Sequence, residues 1–190
     1  MSKKRQRLIL VGVFALFFIP VLTAWIMRHN PLLVGTVNKG VLLDPPRAIS
    51  AQTLKIQRTP YPDAPLLSDS WSVITLTGNV CDDRCSESLY ATRQARAGVN
   101  QNYDRVRRIL VVTEALPEAP LASLTKQHPD LVVVIAPRVW LANFKGEMTP
   151  VPDTFVVDPR GFLFITYPQP TQPADLLKDL KRLLRISAVG

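Results

Sequence analysis

The chain has 190 residues, enough for one ordinary hydrophobic core, with 47% apolar residues, a formal net charge of +8 and two cysteines. Residues 1–28 hold five Lys/Arg and no acid, which leaves 18 basic against 15 acidic side chains, a net of +3, for residues 29–190. Much of the basic excess is therefore confined to the N-terminus, and with no pattern of interleaved aromatic and basic residues a nucleic-acid partner is excluded.

Lys3, Lys4, Arg5 and Arg7 lie in the first seven residues, and residues 8–27 follow without a single charge. At 1.5 Å per residue such a helix spans roughly 30 Å, the thickness of a bilayer core. Pro20 is tolerable there as a kink, and Trp25 stands where an interfacial aromatic would lie. The apolar run is longer than a signal peptide needs and Leu22-Thr23-Ala24 is a poor cleavage site, so a retained anchor is expected. The basic cluster before the span predicts a cytoplasmic N-terminus, with the rest of the chain on the other side. An even cysteine count fits that oxidising, extracytoplasmic side.

Residues 28–65 read as a tether with a short hairpin. Val34 to Val37 and Val41 to Leu43 flank a turn at Asn38–Gly40, and Ala51 to Arg58 could add a strand. Pro60, Pro62 and Pro65 make the next stretch extended and irregular.

Residues 66–190 carry the pattern of a folded domain. Val73 to Thr77 form a β-branched, apolar strand, and Gly78-Asn79 supplies a turn. Asp82 and Asp83 suit the first turn of a helix that runs without Pro or Gly to Ala97, where Gly98 can end it. Arg107 to Thr113 and Leu131 to Ile135 are strands with no polar side, separated by a helix over Leu121 to Gln127. Arg138 to Phe144 suggests another short helix. Thr154 to Val157 and Phe162 to Tyr167 flank the turn Asp158-Pro159-Arg160-Gly161 as a hairpin. The last helix has Pro173 in its first turn and places Leu176, Leu177, Leu180, Leu183 and Leu184 on one face. Together these elements predict an α/β domain whose helices cover both faces of a sheet.

Cys81 and Cys85 stand where a strand delivers them to the start of a helix. If Cys81 is in the loop and Cys85 in the first turn, both sulfurs reach one exposed point, and the helix amides favour a thiolate. Arg84 adds to this, whereas Asp82 and Asp83 oppose it. Three uses stay open from the residues: thiol–disulfide exchange, soft-metal binding, and a structural disulfide. Asp153 and Asp158 are explained as turn residues, and Arg93, Arg96, Arg105, Arg107 and Arg108 as a solvated face. There is no phosphate-binding glycine loop, zinc spacing or Ser-His-Asp set.

The order of elements from about residue 66 to 186, with Cys81-Asp-Asp-Arg-Cys85 after the Trp71–Thr77 strand and Val151-Pro-Asp-Thr-Phe-Val-Val-Asp-Pro-Arg-Gly161 near the end, resembles the thioredoxin superfamily. Within it the chain resembles the membrane-anchored Sco proteins of cytochrome c oxidase assembly. The resemblance implies a thioredoxin-like fold, a central mixed sheet with helices on both faces, behind a single transmembrane helix. It also implies a cis proline at Pro152 beside the cysteines and a location in the bacterial inner membrane with the domain in the periplasm. Cys81 would attack and Cys85 resolve, acting on an oxidase subunit or its copper chaperone. The family holds copper with both cysteines and a histidine just before the late strand. Here that place falls near Pro150 and no histidine follows residue 128. Cu(I) on Cys81 and Cys85 would need a third ligand, with Met148 and His128 the candidates. Ser86 replaces the proline that usually follows the second cysteine. The alternatives are a Cu(I) chaperone, or an assembly scaffold in which the disulfide is structural.

Overall fold

The computed structural model describes residues 3–29, 38–144 and 153–187. The chain divides into two units, residues 1–37 and 38–190. In the first, helix α1 (Lys3–His29) exposes its large apolar side chains from Ile9 to Met27. Its segment Ile9–Met27 has a mean hydropathy of 2.5 and is long and apolar enough to cross a membrane.

The second unit is organised by strands too apolar to leave either face in water. Its seven-stranded mixed sheet runs, edge to edge, through Val41–Ala48 (β1), Phe162–Tyr167 (β7), Thr154–Val157 (β6), Trp71–Leu76 (β3), Val106–Val112 (β4), Leu131–Ile135 (β5) and Lys55–Arg58 (β2). β3 (Trp71–Leu76), β4 (Val106–Val112) and β5 (Leu131–Ile135) run parallel at its centre. β6 (Thr154–Val157) and β7 (Phe162–Tyr167) form the expected hairpin, antiparallel to each other and, through β6, to β3. Gly161 has φ +85° in the turn between them, a conformation an L side chain rarely adopts.

Alternate residues of these strands feed two faces. On one, Trp71, Val73, Val156, Ile165 and Tyr167 pack under the ends of α2 (Asp83–Gly98) and α5 (Pro173–Ile186), and Leu110, Val112, Leu131 and Val133 pack under Cys85, Leu89 and α3 (Glu118–Gln127). The parallel β3-α2-β4-α3-β5 path puts α2 and α3 on the same face. On the other face Ile74, Ile109, Val111, Val132, Val134 and Phe155 meet Trp140 of α4 (Arg138–Leu141) and Phe144 of the 3-10 turn after it.

A four-residue helix cannot cover that second face, and the rest of the cover comes from a segment that reads as tether. Ile49, Ala51, Leu54 and Tyr61 all pack there, joined by Leu66 and Leu67 from the start of the predicted domain. β1 (Val41–Ala48) pairs with β7, and β2 (Lys55–Arg58) pairs with β5, so residues 41–58 supply both edges of the sheet. The second arm of the hairpin suggested around Asn38–Gly40 falls in β1 and pairs with β7, and its first arm, residues 34–37, lies outside the described residues.

Candidate functional site

Cys81 and Cys85 lie just beyond the C-terminal end of β3, next to the end of β4. The loop between β3 and α2 is pinned on both sides. Thr77 donates its amide to Val111 O, Thr113 donates its amide to Gly78 O, and the Thr77 hydroxyl donates to Val80 O at 2.8 Å. Asp82 then caps α2, its carboxylate accepting the Cys85 amide at 2.9 Å, which satisfies an N–H the helix leaves without an internal partner. That cap sets Cys85 in the first turn and leaves Cys81 just outside the helix.

The two sulfurs are joined in a disulfide, with their Cα atoms 5.1 Å apart. The partners are unequal in access. Cys85 is 3% exposed, packed with Leu89, Leu110 and Val112, whereas Cys81 is half-buried at the wall of an open cleft. An incoming thiolate therefore finds Cys81 first. The Ser86 hydroxyl lies 4.0 Å from Cys81 Sγ. A proline at that position would bring no such group, so the departure from the family pattern adds a polar neighbour to the outer sulfur.

Asp153 has a role other than the turn residue suggested by the sequence. It is 7% exposed at the start of β6, and its carboxylate accepts the Ser88 hydroxyl at 2.6 Å and the Thr154 hydroxyl at 3.2 Å. It shares a small cleft of about 210 Å³ with Cys85, Asp82 and Arg84. A buried carboxylate so near a cysteine escapes a sequence reading because 65 residues separate it from Ser88. Asp158, by contrast, is a turn residue, accepting the amides of Arg160 and Phe162.

His128 is not a solvated helix end and is not brought to the cysteines. It is buried at the N-terminal side of β5, its Nδ1 facing Arg108 Nη2 at 3.4 Å. Arg108 also donates to Leu89 O and Thr92 Oγ1, one and two turns along α2 from Cys85. The sulfurs sit instead beyond the C-terminal ends of the parallel strands, about 13 Å of β4 further on. Burial and the charge of Arg108 push the His128 pKa down to about 4. Arg96 and Arg108, expected on a solvated face, are both 1% exposed and converge on Asp130 at 2.8 and 2.9 Å.

Pro152 and Met148 lie outside the described residues. Among the described residues no group of three or more His, Cys, Asp or Glu side chains is placed to hold a metal ion. Two sulfurs with no histidine beside them do not make the three-ligand Cu(I) set of the Sco type.

The sequence pattern of the family described as transmembrane-like, thioredoxin-like, C-terminal domain matches residues 71–187. No curated protein matches the chain. Among solved structures, the apo Sco1 protein of Thermus thermophilus is similar with a TM-score of 0.56 and 20% identity, over 78% of this chain and 99% of that one. Yeast Sco1 has a TM-score of 0.54 at 12% identity, over 64% and 84%. Copper-bound ScoI of Arabidopsis thaliana has 0.51 at 13%, over 64% and 88%. At such identities the likeness is one of fold: thioredoxin-like, and Sco-like in its architecture.

Proposed function

The chain belongs to the family of transmembrane-like, thioredoxin-like C-terminal domains, and from that membership and the geometry of its two cysteines we propose that it is a membrane-anchored thiol–disulfide exchange protein assisting cytochrome c oxidase assembly. Residues 8–27 are the anchor, residues 1–7 are cytoplasmic, and the domain works in the periplasm of the bacterial inner membrane. The observation that carries this is the unequal pair: Cys81 at a cleft wall, bonded to Cys85 in the first turn of a helix.

In the reduced form the Cys81 thiolate attacks one sulfur of a partner disulfide. A Cys81–partner bond forms, and the other partner sulfur leaves as a thiolate. The Cys85 thiolate then attacks Cys81 Sγ, closing Cys81–Cys85 and releasing the second partner thiolate. The partner gains two electrons and the chain loses two, which a dithiol reductant of that compartment restores. The substrate is an oxidase subunit or its copper chaperone, kept reduced so that its cysteines remain able to bind metal.

The test is a reduction potential with trapping. A value above about −300 mV is expected, and Cys85→Ser should accumulate a mixed disulfide through Cys81 that Cys81→Ser does not form. A potential below that value with no trapped species would assign the bond a structural role. Stoichiometric, cysteine-dependent Cu(I) uptake by the reduced chain would favour the copper-chaperone alternative.

A further inference from the structure

The surface beside Cys81 constrains what it can meet. A cleft of about 450 Å³ opens between the start of α2, the loop after β4 and α3, with Cys81 on its wall. Val80, Leu116, Pro117 and Leu124 give it an apolar lining, and Glu114 is the one charged side chain among the described residues that line it. Val80, next to the reactive cysteine, is 65% exposed. The wall is held from behind by Gln57 of β2. Its Nε2 donates to Leu116 O at 2.7 Å, and its Oε1 accepts the Leu116 amide at 3.0 Å.

We propose that this cleft recognises the exchange partner, taking an extended peptide segment with a large apolar side chain next to its cysteine and no acidic residue beside it. The proposal rests on the exchange chemistry above. A mixed disulfide ties the partner sulfur to Cys81, so the partner's flanking residue, about 3.5 Å along an extended chain, falls over the cleft. The volume suits one or two large side chains, and seating them removes apolar surface of both molecules from water. Glu114 repels an acidic flank and attracts a basic one. The Gln57 clamp fixes the wall beforehand, which lowers the ordering cost of binding.

The test uses the full-length chain in detergent micelles with Cys81 and Cys85 both changed to Ser. Two fluorescent peptides carry serine in place of the cysteine and differ only in Phe or Ser at the next residue. The Phe peptide should bind at least about tenfold tighter. Ser123→Trp, an exposed position on the cleft side of α3, should remove that preference, and, with two further Phe peptides carrying Lys or Asp on the other flank, Glu114→Lys should turn a preference for Lys into one for Asp. Equal affinity for the two peptides, or a preference untouched by Ser123→Trp, would overturn the proposal. A second measurement, oxidised glutathione with the reduced native chain, keeps the two ideas apart. Loss of that small-molecule exchange would defeat the exchange chemistry, while the peptide preference is judged by binding alone.

Discussion

The polar neighbour of Cys81 distinguishes this site at the level of single residues. A hydroxyl 4.0 Å from a sulfur is a weak partner for a disulfide, but it can turn its hydrogen toward a thiolate. Ser86→Ala should therefore slow attack on a small disulfide about two- to fivefold, a long and partly solvated hydrogen bond being worth less than about 1 kcal/mol. Single-turnover rates at constant pH check this; an unchanged rate would remove Ser86 from the chemistry. His128 offers a second prediction. Arg108 can only donate, so Nδ1 must stay unprotonated, and the folded pKa of about 4 lies below the unfolded value of about 6.5. The stability tied to this group is thus full above pH 6.5, falls by about 1.4 kcal/mol per unit as pH drops, and levels off below about 4. The total is roughly 3 kcal/mol over that window. Asp130, held below the usual carboxylate value by Arg108 and Arg96 against the effect of burial, adds losses only at lower pH. His128→Gln should flatten the urea-denaturation midpoint between pH 6.5 and 4, and parallel curves for the two proteins would refute the assignment.

Among the elements, α5 shows what the apolar pattern conveys and what it hides. The leucines at 176, 180, 183 and 184 are legible from period alone and all are buried. Asp179 reads as part of the polar face, yet it is 1% exposed, and its carboxylate accepts the amides of Lys39 and Gly40 and the hydroxyl of Tyr167. Burial and that carboxylate together raise the Tyr167 pKa, which keeps the phenol a donor. Asp179→Ala would leave three donors without an acceptor and should cost about 2–4 kcal/mol, read as a lowered urea midpoint. A change under about 0.5 kcal/mol would mean the clamp is dispensable. The same contrast holds for α2. The sequence predicts Gly98 as a helix stop, and α2 does end there, but its φ is not left-handed. A Cβ at Gly98 would sit 2.7 Å from the Leu177 side chain of α5, so a larger residue there would make Leu177 shift, and packing rather than backbone conformation is what glycine eases. Local patterns announced β5, the β6–β7 hairpin and the helices α1, α2 and α5. The strands at Val41 to Leu43 and Ala51 to Arg58 are legible too, but their places at the two sheet edges, like the clamp on Asp179, are decided by long-range partners that a sequence window does not name.

At the scale of the whole molecule, the question is whether the fold depends on its one disulfide. The bond closes a loop of only five residues, and chain entropy assigns such a loop about 2 kcal/mol. Against it stand a seven-stranded sheet and three buried clusters, of which only one includes Cys85. By linkage, folding then stabilises the bond by that same small amount, equivalent to about 40 mV. That is little for a permanent staple and compatible with a bond that opens and closes. The full-length protein in detergent should accordingly stay cooperatively folded when reduced, with Tm lowered by about 4–8 °C for a unit of this size. Far-UV and near-UV circular dichroism, recorded on thermal scans with and without a dithiol reductant, measures this directly. Loss of the near-UV signal on reduction would show that the bond holds the core together. The exchange mechanism would then lack the stable reduced state from which Cys81 must attack.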